Sequence, residues 1–380
     1  MASSRSPGAL GLYGFRNRRS HAAYRLSFAT ARDVRVPRVW DVLSARGRPV
    51  VVLGVPPTYP PEPVRGALVS CFLAPGPATH PPGLAAELDG YRVDVDGFRT
   101  LAPARLRAAL ADVVDRRFRV AERLAATRAW DLLWLVEIAT DRLHHRLWRS
   151  EDALLSLYRR IDRHVGRLLR HAGRDTAVLV VSDHGAQALS GGVRVNEWLR
   201  REGYLALREE PAAPTPVTPG MVDWPRTRAW AEGGHYGRVF LNVAGREPAG
   251  AVRRGDVEPL REELRARLSA LAPGTVVHRP DALYSEANGV PPDLLVYFGG
   301  LRLRSLGEVG RGAVLVPVDD QAGHSLDGLY VLAGPGVTPG RGGVRPLVDV
   351  APTLLTLLGE AVPRSMEGRS MTAEVAPARR

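Results

Sequence analysis

Residues 176–185 read T-A-V-L-V-V-S-D-H-G, and this stretch constrains the chain more than any other. Its continuous apolar run, residues 177–181, is rich in β-branched side chains, the pattern of a strand buried on both faces of a parallel sheet. The run stops at Ser182, Asp183, His184 and Gly185. An acid and an imidazole therefore arrive where the strand ends, and the glycine lets the backbone turn. In open α/β sheets, ligands bind in the crevice at the carboxyl ends of the strands. The stretch thus predicts a layered α/β architecture with polar chemistry at one end of its sheet.

The rest of the chain supplies matching elements. Buried strands are expected at residues 49–55 (P-V-V-V-L-G-V) and 131–138 (D-L-L-W-L-V-E-I), with further strands at 239–243, 294–298 and 329–333. Apolar residues at helical spacing predict helices at 39–46, 101–127, 153–171, 195–202, 256–271 and 348–358. In the second of these, Leu106, Leu110, Val114, Phe118 and Leu124 fall near one face. Strands that alternate with helices argue for an α/β/α sandwich on a mostly parallel sheet. A chain of 380 residues can form it as a single domain, 1–380, with an insertion or cap at about 206–290. Residues 208–225, rich in proline and in acidic or small residues, mark a surface loop or the edge of that insertion. No apolar window is long enough to span a bilayer, and no apolar leader is visible, so the cytoplasm is the expected location.

The net charge of +12 invites a nucleic-acid partner. However, all 52 basic residues are arginine, none is lysine, and Ile138 and Ile161 are the sole isoleucines. That skew belongs to composition at large. The arginines are scattered through helices with no basic stripe and no interleaved aromatics, so no nucleic-acid partner is expected. The missing lysine excludes a P-loop. A lone cysteine, Cys71, excludes an intrachain disulfide and a thiolate cluster, and reads as a buried thiol.

Three clusters bear chemistry. Asp141 and His145 follow the second strand in A-T-D-R-L-H-H-R-L-W. If a helix starts there, i and i+4 place carboxylate and imidazole on one face, a donor pair suited to a divalent metal. His144 then points elsewhere. Alone, such a pair reads equally as an exposed helix start. Asp183 and His184 form the second cluster, where the acid reads equally as a cap of the next turn. His324 is the third, on a polar, glycine-containing loop before a strand. The surrounding G-H-S-L-D misplaces the glycine of a nucleophile elbow, so a serine hydrolase is rejected. Together the clusters fit a two-metal hydrolytic centre that clamps the oxygens of an in-line displacement. His235 in E-G-G-H-Y-G could contact substrate in the insertion, but reads first as a surface-loop histidine. Arg246-Glu247 reads as a structural ion pair, and Tyr158 and Asp162 as packing and pairing residues.

These motifs resemble the type I phosphodiesterase/nucleotide pyrophosphatase branch of the alkaline phosphatase superfamily. The resemblance runs through P-G-A-L-G-L-Y-G-F (7–15), V-W-D-V-L-S-A-R-G (39–47), V-P-P-T-Y-P-P (55–61), T-D-R-L-H-H-R-L-W (140–148) and V-S-D-H-G (181–185). It continues through N-E-W-L-R-R-E-G-Y-L (196–205), N-V-A-G-R-E-P-A-G (242–250), A-G-H-S-L-D-G (322–328) and V-D-V-A-P-T-L-L-T-L-L-G (348–359). It implies an alkaline-phosphatase-like fold and a hydrolase of small phosphorylated substrates. It further implies two divalent metals, zinc first and manganese second. Asp141, His145 and His324 would hold one; Asp183 and His184 would belong to the other. A Thr or Ser nucleophile would form a covalent intermediate that water then hydrolyses. No sulfatase motif surrounds Cys71.

The chain departs from the family pattern at its start. The resemblance places the first strand, its aspartate and the nucleophile before Met1, and Leu10 stands where relatives carry a histidine. Ser3 and Ser4 are not matching positions, and a terminus there is expected to fray. The first reading is an N-terminally truncated enzyme. A catalytically dead member that binds a metal or a phosphorylated ligand is the alternative, followed by a partner chain that supplies the missing groups. A missing first strand should leave neighbouring apolar strands without pairing partners and lower solubility.

Overall fold

The computed structural model describes residues 1–310 and 312–372. The strands used below are β1 (Val50–Leu53), β2 (Gly66–Val69), β3 (Thr79–His80), β4 (Leu132–Leu135), β5 (Val178–Val181), β6 (Gly185–Ala188), β7 (Ala229–Glu232), β8 (Gly237–Leu241), β9 (Val276–His278), β10 (Leu294–Tyr297), β11 (Ala322–Ser325) and β12 (Tyr330–Ala333). The helices used below are α1 (Val39–Ala45), α2 (Pro103–Thr127), α3 (Ala139–Leu147), α4 (Glu151–Leu168), α5 (Val195–Arg201), α6 (Val257–Ser269) and α7 (Val350–Leu357). They fall into two compact units, Met1–Ser6 with Thr30–Gly185 and Leu326–Arg380, and Pro7–Ala29 with Ala186–Ser325. No helix among the described residues is long and apolar enough to cross a membrane.

The first unit is built on a sheet of order β3-β2-β1-β4, with β1 parallel to both β2 and β4. The strand period of two divides β1 between two cores. Val50 and Val52 pack with Trp40 and Leu43 of α1 and with Val350 and Leu355 of α7. Val51 and Leu53 pack with Val120, Ala121 and Leu124 of α2 on the opposite face. All four β1 residues are buried, as a strand covered by helices on both faces requires. Farther along α2, Leu106, Leu110, Val114 and Phe118 meet Leu143 of α3 and Leu157 of α4, so the helix predicted from spacing buries the predicted face. Cys71 is buried without a disulfide.

The strand expected to be buried on both faces, β5, is only half-buried, and Val180 is 46% exposed. The reason lies in its pairing. Among the described residues β5 has one partner, antiparallel β12, and β4 has one partner, β1. Leu179 and Val181 still pack on the α1/α7 core, whereas Val180 points away from it. The end of β5 is tied down at Ser182, whose Oγ accepts from the Leu329 N–H at 2.8 Å.

The amino-terminal segment does not fray. Ser3 and Ser4 are buried, the Ala2 carbonyl accepts from the Val39 N–H at 2.8 Å, and the Ser4 Oγ accepts from the Gly368 N–H at 2.9 Å. Contacts to residues remote in sequence hold the segment, which local propensity cannot reveal.

The second unit is organised by an antiparallel sheet of order β7-β8-β10-β9. Every residue of β8 is buried. Phe240, Leu294 and Val296 share a core with Trp198 and Leu199 of α5 and with Leu260 and Leu264 of α6. Tyr24 joins it by stacking on Trp224 with ring centroids 3.4 Å apart. The stretch read as a surface loop ends inside this core, since Val222 and Trp224 are both buried. β6 pairs with β11, so His324 lies on a strand and not on the expected loop.

Candidate metal centre

In the first unit, α3 begins four residues after β4 ends. Glu137 sets that start: its Oε1 accepts from the Ala139 N–H at 2.8 Å and from Arg117 Nη1 at 2.9 Å. Arg117 is itself buried and also donates to the Val93 carbonyl at 2.9 Å. Breaking such a buried pair from one side costs about 3–5 kcal/mol, because the remaining charge is stranded. The start of α3 is therefore held firmly, and the helix turn does the rest. It brings His145 Nε2 to 3.3 Å from Asp141 Oδ1, with His145 buried, as the i, i+4 spacing predicts.

Asp141 is fixed on its other oxygen. Arg142 Nη1 donates to Asp141 Oδ2 at 2.8 Å, while Arg142 Nε and Nη2 donate to Asp94 Oδ2 at 3.0 and 2.5 Å. The guanidinium lies over the ring of Phe98, 4.6 Å from its centroid. Asp94 and Arg142 were not singled out from sequence, and their spacing carries no recognisable signal.

His184 reaches the same place from the end of β5. A donor atom of His184 and one of Asp141 lie within 4.8 Å of each other. His184 Nδ1 contacts the Gly185 carbonyl at 2.9 Å. A carbonyl can only accept, so Nδ1 is the donor of this contact, and Nε2 is the nitrogen left that could serve as a metal ligand. The Asp183 carboxylate is largely exposed, with Oδ2 3.6 Å from His184 Nε2. Unit one thus gathers Asp141, His145 and His184 and keeps Asp183 beside them. His144, as expected, turns elsewhere: its Nε2 contacts the Tyr158 hydroxyl at 3.2 Å, and its ring packs edge-on to Trp148. Burial pushes its imidazole below the ordinary value against the field of Asp141.

His324 belongs to the second unit. There it stacks on His235, with centroids 3.4 Å apart and ring planes 16° from parallel. His235 lies in the bend between β7 and β8, as a loop histidine should, and both rings are half-buried. Arg246 is the structural residue expected, pairing with Glu247 and, at 2.9 Å, with Asp293 Oδ2. In a cavity between α2 and α4, Arg160 pairs with Asp115 and Arg167 with Glu122, while Arg119 and Arg163 also line it.

Residues 1–300 match the sequence model of the family described as type I phosphodiesterase/nucleotide pyrophosphatase. No curated protein matches significantly in sequence. Among solved structures, the chain resembles phosphonoacetate hydrolase from Sinorhizobium meliloti 1021, in complex with phosphonoacetate, at a TM-score of 0.59 and 13% identity, over 95% of this chain and 83% of that one. It also resembles human ectonucleotide pyrophosphatase/phosphodiesterase 5 at a TM-score of 0.50 and 12% identity, over 97% of this chain and 87% of that one. At such identities the likeness concerns the fold.

Proposed function

The chain belongs to the type I phosphodiesterase/nucleotide pyrophosphatase family, and from that premise we propose that it is a metal-dependent hydrolase of phosphoric esters acting on small phosphorylated molecules. The observation that carries the reading is Asp141, just beyond the carboxyl end of β4, with His145 Nε2 3.3 Å from one oxygen and a donor atom of His184, from the end of β5, within 4.8 Å. Their donor chemistry fits the group. One carboxylate and two imidazoles, one with its Nδ1 engaged by the Gly185 carbonyl, are the mixed oxygen and nitrogen ligands that zinc and manganese accept. Asp141, His145 and His324 would hold one cation, and Asp183 and His184 would contribute to a second. Such cations supply charge stabilisation to phosphoryl oxygens. Asp94 and Arg142 hold Asp141 in orientation, and Glu137 and Arg117 hold the helix that carries it.

A second reading is a member that binds metal or a phosphorylated ligand without turning it over, which the same Asp141, His145 and His184 donors would serve.

Hydrolysis of bis(p-nitrophenyl) phosphate by the chain loaded with zinc or manganese tests both. The expected result is metal-dependent release of nitrophenolate, with His145→Ala lowering turnover at least about 100-fold, a loss typical of removing a group that acts in the transition state. Metal binding by dialysis without release would establish the second reading. Absence of both would overturn the two together.

A further inference from the structure

We propose that His235 is a metal ligand, paired with His324 as a two-imidazole clamp for a borderline divalent cation such as zinc. This deepens the reading above and rests on His324 being a ligand there.

The pair is a built feature of the second unit. Their ring centroids are 3.4 Å apart, and donor nitrogens of the two rings lie within 4.8 Å of each other. Zinc–nitrogen bonds of about 2.0–2.1 Å in a tetrahedral site set two ligand nitrogens roughly 3.3 Å apart. The rings must turn out of the stack to converge their lone pairs on one cation, and a fixed backbone beneath each one leaves that adjustment to the side-chain torsions.

It is fixed on both sides. Immediately before His235, the Gly234 N–H donates to the Ser305 carbonyl at 2.8 Å, and the Ser305 N–H donates back at 3.1 Å. Gly233 is pressed so closely there that a Cβ would lie 2.5 Å from the Gly307 nitrogen, so the approach requires glycine. On the other side of His235, the Tyr236 hydroxyl donates to the Tyr13 carbonyl at 2.7 Å. His324 is held within β11, where its own carbonyl accepts from Gln187 Nε2 at 2.9 Å. The same Gln187 amide donates to the Gly300 carbonyl at 3.1 Å.

The donor types select the ligand. Two imidazoles add two borderline nitrogen donors, which favour zinc, nickel or copper over magnesium or calcium.

The test uses the full chain and reads binding, not turnover. Zinc affinity is measured by competition with a chromogenic chelator, and Co2+ absorption reports the ligand set. In His235→Ala, zinc affinity is expected to fall at least about 10-fold, the loss seen on removing even an outer partner of a metal ligand, and the Co2+ spectrum to change in intensity. His235→Phe preserves a ring for stacking and should show the same loss, so a folding effect of the alanine is separated from loss of a ligand. If both variants bind zinc and Co2+ as the parent does while His145→Ala and His324→Ala lose affinity, the inference about His235 is overturned and the broader reading stands. If all four variants bind as the parent does, the metal-centre reading itself falls.

Discussion

Two apolar strands of this chain, β5 and β8, have similar lengths and opposite fates. β5 reads V-L-V-V and is half-buried; β8 reads G-R-V-F-L and has every residue buried. Composition alone ranks them the other way, since β8 contains a glycine and an arginine. The difference follows the neighbours. β8 lies between β7 and β10 and is covered by α5 and α6, whereas β5 has β12 on one edge and, among the described residues, no partner on the other. A run of β-branched residues states how much burial a strand can use. Its neighbours decide how much it receives.

The largest consequence is expected in β8. Phe240 is 2% exposed and stacks on Trp230 at 4.7 Å, so Phe240→Ala removes a ring from a closed core. The cost should be about 3–5 kcal/mol, read as a lower urea midpoint with an unchanged m-value. A loss below about 1 kcal/mol would show that the second unit is packed as loosely as β5 and would erase the contrast.

The second unit also depends on a buried carboxylate, which makes the contrast sensitive to pH. Glu197 on α5 is fully buried. Burial pushes its carboxyl up, but Arg200, the Gly310 N–H and Arg201 outweigh that and hold it below its ordinary value of 4.5. A depressed carboxylate binds fewer protons folded than unfolded. Its contribution is therefore fully present above about pH 4.5 and is lost as pH falls through the folded value. Glu197→Gln should lower stability at neutral pH by about 1.5–3 kcal/mol, the range for a hydrogen bond to a charged group, and flatten the acid limb of the stability curve. Melts at pH 3 to 7 that show parallel curves for parent and variant would remove Glu197 from the account.

What was legible in the sequence was local. The run in β1, the face of α2 and the i, i+4 pair of Asp141 and His145 each depend on residues within a few turns, and each forms as expected. The carboxyl ends of β4 and β5 also deliver the predicted acid and imidazoles. What was not legible depends on partners far along the chain. The exposure of Val180 follows from a pairing that no segment encodes by itself. The burial of Ser4 depends on Gly368, and the setting of Asp141 depends on Asp94 through Arg142. The stacking of His235 on His324 and its anchoring beside Ser305 likewise depend on residues far along the chain, so E-G-G-H-Y-G by itself shows only a loop.

The smallest expected effect is the sharpest test of the contrast, because composition and neighbour count predict opposite outcomes. Val180 lies within an apolar run of the same composition as the buried β1, and on composition alone Val180→Thr should cost what a buried hydroxyl costs. At 46% exposure, the threonine hydroxyl reaches water and the β-branched shape is kept, so the change should stay within about 0.5 kcal/mol. Leu179, which packs on the α1/α7 core, supplies the internal control: Leu179→Ala removes apolar contacts that Val180 lacks and should cost several times more. Amide exchange gives an independent view, since the backbone of β5 should exchange faster than that of β8 if its second edge is open. Equal costs at Val180 and Leu179, together with equal protection of the two strands, would mean that β5 is covered in solution on the edge that carries no partner here.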